Sequence, residues 1–263
     1  MNDNQKSDQI NNPSKVYALF YSFFLIPLMI TIFGVLFFFL FKMLTYEKQD
    51  PYHLLNNISS GSLTKRWQSA YELSNLMSDF NQIPTDDYFV SQIKTMYQKS
   101  IHDDSRVRTY LALAMGQTEN IVFCEDLIAG LNDSDHENQI AAIKSVGLIK
   151  CESSSILLEN IVSSKIDNQI RLAAVISLGL IGNMDSIPVL KKALKDEEPN
   201  IRWDSAISLA KIGDNSGYDT INSLLDRSYY DSYPQVDQNE INSAILIVLA
   251  LVSNKADKIF KDN

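Results

Sequence analysis

The chain has 263 residues, of which 45% are hydrophobic and 21% charged, so it is neither a low-complexity nor a collagen-like sequence. Eight of its twelve phenylalanines lie between residues 20 and 41, so the average composition hides a separate apolar segment. The first fifty residues hold four acidic and four basic side chains, and the net charge of -9 therefore belongs to residues 51–263. A domain that acidic repels phosphate groups, which argues against nucleic-acid binding.

The apolar segment predicts a helix that crosses a membrane. Residues 16–41 contain no charged side chain, and at about 1.5 Å per residue a helix of that length reaches roughly 39 Å, more than the ~30 Å hydrocarbon core. No small-x-small cleavage site follows Phe41, so an uncleaved anchor is favoured over a signal peptide. We expect a polar tail over residues 1–15, the transmembrane helix over 16–44 and a linker over 45–50.

The orientation of this anchor depends on the lysines that flank it. Two lysines precede the segment and two follow it, at Lys6, Lys15, Lys42 and Lys48. Only Lys65 and Arg66, farther along the chain, tip the count towards a cytoplasmic C-terminal domain.

An internal repeat organises the rest of the chain. Arg66–Leu73 and Arg202–Leu209 nearly superpose, and the same eight-residue frame recurs at Arg108, Gln139, Arg171 and, in degenerate form, Glu240. The intervals between successive copies are 42, 31, 32, 31 and 38 residues. A short amphipathic stretch precedes each copy, so the unit is a helical hairpin that must stack on its neighbours to bury its apolar face. This predicts an all-α fold, with an α-solenoid of about six helical hairpins over residues 51–263.

The columns of the aligned repeats assign faces to the second helix of each hairpin. The columns that begin at Ala70 and Leu73 are apolar and share one face. The next column is small in five copies, which allows a neighbouring helix to come close: Ser74, Gly116, Gly147, Gly179 and Ala210. By helix phase, the columns that begin at Gln68, Glu72 and Asn75 should face solvent.

The repeat resembles the HEAT family, in particular its short bacterial HEAT-like or phycobilisome-lyase-like form. The resemblance covers about residues 51–252 and rests on Ala-x-x-Leu-Gly and Ser-Leu-Ala-x-Ile-Gly runs and on three acid-then-basic pairs: Asp104 with Arg108, Asp167 with Arg171, and Asp196 with Arg202. It implies that the arginine column forms a structural ladder between repeats, through Arg66, Arg108, Arg171 and Arg202. Gln139 departs from the column, so the ladder should be interrupted at the third repeat.

No pattern in the sequence indicates catalysis, a cofactor, a metal site or a small-molecule substrate. His53, His102 and His136 lie in separate repeats without ligand-type partners at metal-binding spacing. The acidic run 133–137 lacks the glycine and glutamate of a calcium loop and reads as a turn with helix-capping acids. Cys124 and Cys151 are too few for a disulfide framework and are expected to be free thiols in a reducing compartment.

Two surfaces are candidates for binding a protein partner. In the central repeats, the columns expected to face solvent carry apolar side chains, Tyr110, Leu148 and Leu180 among them. The alternative is that adjacent helices partly cover Leu148 and Leu180. The second candidate is the insertion 228–240 with Tyr229, Tyr230 and Tyr233, although such aromatic loops also commonly fold back onto their own domain.

These features predict a single-pass membrane protein whose solenoid acts as a scaffold or docking subunit of a membrane complex. In a second version, the spanning helix takes part in the assembly and the protein is an accessory subunit of a transporter or other membrane machine. The family resemblance adds a third, disfavoured hypothesis, a bilin-lyase-like enzyme. We expect protein partners, contact with the bilayer through residues 16–41, and no enzymatic activity.

Overall fold

A computed structural model describes residues 20–44 and 50–261 of the chain. The chain divides into two compact units, Met1–Lys48 and Gln49–Asn263. The described residues are mostly helical and contain no strand, which confirms the predicted all-α fold. The predicted tail over 1–15 and nearly all of the predicted linker over 45–50 lie outside the described residues.

In the first unit, a short π-helix, Tyr21–Leu25, runs directly into helix α1, Ile26–Leu44. Their described side chains are exposed apart from Leu25, which is half-buried, and most are large and apolar. The stretch Tyr21–Met43 is long and apolar enough to cross a membrane. Its length and composition fit a membrane anchor and a signal sequence alike.

The described residues of the second unit form six consecutive helical hairpins, as the repeat predicts. Their first helices are α2 (Pro51–Ser60), α4 (Asp87–Lys99), α6 (Cys124–Ala129), α8 (Ser155–Ser163), α10 (Ile187–Ala193) and α12 (Tyr218–Leu224). Their second helices are α3 (Leu63–Leu76), α5 (Ser105–Gln117), α7 (His136–Leu148), α9 (Asn168–Ile181), α11 (Pro199–Ile212) and α13 (Gln238–Lys261). Short 3-10 turns lie between them at Phe80–Gln82, Ser100–His102, Ile121–Phe123, Gly130–Asn132, Glu152–Ser154, Met184–Ser186 and Arg227–Ser232.

Side-chain caps and glycines set the ends of these helices. The carboxylates of Asp104 and Asp135 accept hydrogen bonds from the backbone N–H groups of Arg106 (3.0 Å) and Asn138 (3.1 Å), and so begin α5 and α7. Asp135 belongs to the acidic run 133–137, which is therefore a capping turn. Gly182 and Gly213 end α9 and α11 with φ of 79° and 97°, a left-handed conformation that costs glycine little.

One core runs through the first five hairpins. The apolar column that begins at Leu73 is fully buried in those copies, at Leu73, Met115, Val146, Leu178 and Leu209. The sixth copy does not follow the frame: Ile247 is 43% exposed and its neighbour Val248 is buried. The predicted frame is therefore one residue out of phase in α13, which packs instead on a smaller cluster around Trp203.

Consecutive second helices approach each other through the glycine column. A Cβ atom added at Gly116, Gly147 or Gly179 would lie 2.8 Å from the Cα atom of a serine on the next second helix, Ser145, Ser177 or Ser208 respectively. Each of these serines donates a hydrogen bond to a carbonyl of the preceding second helix, at 2.8, 2.8 and 3.0 Å. The predicted close packing at glycine is confirmed.

The same serines correct the prediction that the Glu72 column faces solvent. Ser145, Ser177 and Ser208 stand in that column and are buried. The prediction from helix phase takes each second helix to have a single buried face, whereas the next second helix along the stack covers a further face. Ala141 and Ala173, from the column expected to face solvent at Gln68, are buried as well.

Ion pairs of the arginine column connect neighbouring hairpins. Arg66 pairs with Asp103, Arg108 with Asp133 at 2.6 Å, and Arg171 with Asp196, so in each case the carboxylate belongs to the next hairpin. Gln139 instead donates a hydrogen bond to the carbonyl of Leu131 at 2.7 Å. Arg202 donates to the backbone carbonyls of Asp196 and Glu197 and to the hydroxyl of Tyr233.

The expectation of free thiols is wrong, because Cys124 and Cys151 form a disulfide. Cys124 is the first residue of α6, and Cys151 directly follows the turn after α7. The hairpin returns the chain to its starting side, which brings together two residues that are 27 positions apart. In the chain-entropy account, closing a loop of this length stabilises the fold by about 3 to 4 kcal/mol.

Candidate functional site

The second helices of the hairpins form one continuous row, here called the inner row. Gly–Ser approaches bring consecutive second helices together, whereas consecutive first helices contact each other less. The inner row is therefore the more closely packed row of the stack. Solenoid proteins use extended surfaces of stacked repeats for binding.

The structure places Tyr110, Leu148 and Leu180 on this inner row, all three half-buried. Leu148 and Leu180 occupy equivalent positions on α7 and α9 and lie outside the core cluster. Tyr110 stands about two turns from that level, on α5, where it packs on the core and makes an edge-to-face contact with Tyr71, with ring centroids 5.2 Å apart. The two leucines therefore lie at one level of adjacent second helices, a pair here called the leucine patch, and the two tyrosines form a separate aromatic contact.

The tyrosines of the insertion fold back onto the solenoid. The rings of Tyr229, Tyr230 and Tyr233 surround Trp203 of α11, with centroid distances of 6.2, 5.6 and 5.2 Å. Tyr230 is buried and donates a hydrogen bond to the carbonyl of Leu224 at 3.0 Å. Tyr229 and Tyr233 remain half-buried, so only these two present any surface to a partner.

A cavity of about 760 Å³ lies at the turns between the two helices of the fourth and of the fifth hairpin, and no motif in the sequence indicates it. Charged side chains of both signs line it: Lys165, Arg171, Lys192, Lys195, Asp196, Glu197 and Glu198. Arg171 and Asp196 pair with each other there, so the arginine is already neutralised by its own domain. The signal that could have indicated the cavity is the cluster of charges at both turns, but their pairing is visible only in the fold.

Asp204 introduces a charge at one end of the inner row. It stands in the same column as Tyr110, on α11, where it is partly buried. Burial raises the pKa of its carboxyl to about 6, and Lys211 opposes that shift. The carboxylate is therefore held at an electrostatic cost at neutral pH.

Replacing Asp204 with Asn should stabilise the protein above pH 6 by about 3 kcal/mol, because the pKa is raised by about two units and each unit corresponds to ~1.4 kcal/mol. The folded pKa lies above the ordinary value of 3.8, so the native state loses stability as the pH rises from about 4 to about 6. Urea midpoints of the two proteins should therefore coincide near pH 3.5 and separate above it. The control is Asp231→Asn, which makes the same substitution at an exposed carboxylate.

The fold can be compared with known proteins on this geometry. Residues 156–243 match the family model for HEAT repeats. Over these residues the solenoid is HEAT-like. This confirms the resemblance that the Asp–Arg pairs and glycine runs predicted, and no curated protein matches the chain in sequence.

Solved structures share the architecture of the HEAT-like solenoid. The complex of CpcE and CpcF of phycocyanin lyase from Nostoc sp. PCC7120 matches with a TM-score of 0.57 and 14% identity, over 79% of this chain and 96% of that chain. An engineered protein matches with a TM-score of 0.51 and 16% identity, over 79% of this chain and 100% of that chain. At such identities the likeness is one of fold alone.

Proposed function

We propose that the protein is a membrane-anchored docking subunit whose HEAT-like solenoid binds a protein partner in a membrane complex. The observation that carries this proposal is the combination of an apolar helix, Tyr21–Met43, with a repeat solenoid that is suited to protein binding. In this proposal residues 1–15 are a tail, 16–44 cross the bilayer, 45–50 are a linker and 51–263 form the solenoid.

The exposed apolar surface of the first unit supports the membrane anchor. Phenylalanines 33, 37, 38, 39 and 41 are each more than half exposed, and an apolar surface of that size in water would drive association or aggregation. A bilayer removes this surface from water. Pro27 is compatible with a spanning helix, because proline is tolerated in such helices where neighbouring groups satisfy the backbone carbonyl that it leaves unpaired.

The leucine patch on the inner row supports partner binding. Leu148 and Leu180 are half-buried, contribute to no core cluster and stand at the same level of adjacent helices. A partner side chain inserted between them would complete the burial of both, which is how apolar interface anchors contribute most of their energy. Two tyrosine pairs flank this patch along the stack as secondary contacts, Tyr110 with Tyr71 and Tyr229 with Tyr233.

Two other functions are weaker for this chain. An accessory role in a transporter or other membrane machine requires that the spanning helix itself contacts the complex. A bilin-lyase-like activity rests on the likeness to the phycocyanin lyase complex, which is one of fold and transfers no reactive residue to this chain. We therefore propose a binding protein rather than an enzyme.

Deleting residues 1–45 should release the solenoid from membranes as a soluble, helical domain, because the apolar helix is removed with them. The measurement is sedimentation of membranes after a high-salt wash. Deleting residues 2–15 alone is the control and should leave the protein in the membrane pellet. If the solenoid lacking residues 1–45 still sediments with lipid, the solenoid itself holds the membrane and the anchor proposal fails.

A further inference from the structure

The disulfide joins the beginning of the third hairpin to the beginning of the fourth. Its Cα atoms are 5.5 Å apart, within the ordinary range for a disulfide. The hydroxyl oxygen of Ser153 lies 3.2 Å from the Cys124 sulfur and 3.5 Å from the Cys151 sulfur. Cys151 is fully buried and Cys124 is half-buried, so the bond is part of the packed boundary between two repeats.

Forming this bond requires an oxidant. Each thiol gives up one proton and one electron as the sulfur–sulfur bond forms, and the two electrons and two protons pass to the disulfide of a thiol–disulfide oxidoreductase, which becomes a dithiol. Such oxidation proceeds and persists outside the cytosol, whereas cytosolic glutathione and thioredoxin keep thiols reduced. The disulfide therefore indicates the compartment in which the solenoid folds.

The charges that flank the apolar helix do not set the opposite orientation in the membrane. Two lysines stand on each side, and Lys65 and Arg66 lie about 20 residues beyond the end of α1, at the limit of the distance over which charge sets orientation. Arg66 is also paired with Asp103. The lysine count therefore leaves the side of the membrane open.

We infer that the solenoid lies on the oxidising, extracytoplasmic side of the membrane, with its third and fourth hairpins permanently joined by the Cys124–Cys151 disulfide. This inference replaces the cytoplasmic orientation expected from Lys65 and Arg66. Together with the proposed anchor, it places the N-terminal tail in the cytoplasm. The inference also restricts the binding partner to proteins or domains that are exposed outside the cytosol, and in this respect it rests on the proposed function.

Thiol trapping in intact cells tests the inference directly, because the chain has only two cysteines. Cells that make the full chain are treated with N-ethylmaleimide, which crosses membranes and blocks every free thiol. The protein is then denatured, reduced and labelled with a polyethylene-glycol maleimide that shifts its gel mobility. A disulfide formed in the cell gives a two-tag shift, and Cys151→Ser, which leaves a single blocked thiol, gives none.

Protease treatment of sealed spheroplasts locates the solenoid independently. An epitope at the C-terminus should be digested before lysis, while a cytoplasmic marker protein stays intact. An unshifted wild-type chain, or an epitope that survives until lysis, overturns the inference. A chain that shows the two-tag shift but is recovered without detergent supports the extracytoplasmic compartment and refutes the anchor, so the two proposals fail separately.

Discussion

Replacing Leu148 and Leu180 together with Glu should abolish capture of the partner, since the two side chains form the leucine patch on the inner row. Two carboxylates placed there would be desolvated without a partner charge when an apolar surface docks. In the free protein both positions are half-buried, so the change should cost only about 1 kcal/mol of stability. The measurements are affinity capture from solubilised membranes and a circular-dichroism melt of each protein.

The matched control places the same charges on the opposite row. Ile156 and Met184 are 72% and 71% exposed at or just before first helices, and their replacement with Glu should leave capture unchanged. Unfolding of the leucine variant would show that Leu148 and Leu180 belong to the core. Normal capture by a folded leucine variant would move the binding site away from this patch, to Tyr229 and Tyr233 or to the spanning helix.

The largest loss of stability should come from Gly147→Ala combined with Gly179→Ala. Each added Cβ atom would lie 2.8 Å from the Cα atom of Ser177 or Ser208, so the backbones of successive second helices must separate. Overpacking against a backbone atom belongs to the upper part of the usual range, about 2 to 3 kcal/mol per site, and alanine returns ~1 kcal/mol per site in helix propensity. We expect the urea midpoint of the double variant to fall by an amount equivalent to roughly 2 to 4 kcal/mol.

Ala210→Gly is the control for the glycine column. Ala210 occupies the same column in the fifth hairpin, is half-buried and already carries a Cβ atom. Removing that atom should cost about 1 kcal/mol through helix propensity alone. A double alanine variant as stable as the wild type would show that the second helices can move apart freely, and close approach at the glycine column would then not hold the inner row together.

The hairpins could be predicted from the sequence because the apolar positions that form the core recur in every repeat. The Leu73 column has the same apolar character in every copy, and five of the six members are buried. The second contact face could not be read in this way, since Ser177 looks like any exposed polar residue on a helical wheel. Its burial depends on the glycine one repeat earlier, Gly147, which allows the next backbone to approach.

The disulfide and the insertion show a different limit of sequence reasoning. Cys124 and Cys151 stand at unequal positions of their repeats, so the alignment gives no column that contains both. Their pairing follows from the path of the third hairpin, which becomes known only when the stack is built. Likewise, the three tyrosines of the insertion could bind a partner or fold back, and the packing around Trp203 shows that they fold back.

The ion-pair ladder was implied by the family resemblance, while the choice of partners came from the structure. Arg108 pairs with Asp133 of the next hairpin, and the preceding acid Asp104 caps its own helix α5 and pairs with Arg106. The residues of the column are thus visible in sequence. Which carboxylate meets which arginine depends on the stagger between hairpins.

Co-purification of the full chain from gently solubilised membranes tests the docking proposal most directly. We expect a membrane protein to be recovered in stoichiometric amount with the wild-type chain and to be lost with the Leu148→Glu and Leu180→Glu double variant. Recovery of the chain alone, or with a soluble protein that carries a bilin chromophore, would contradict it.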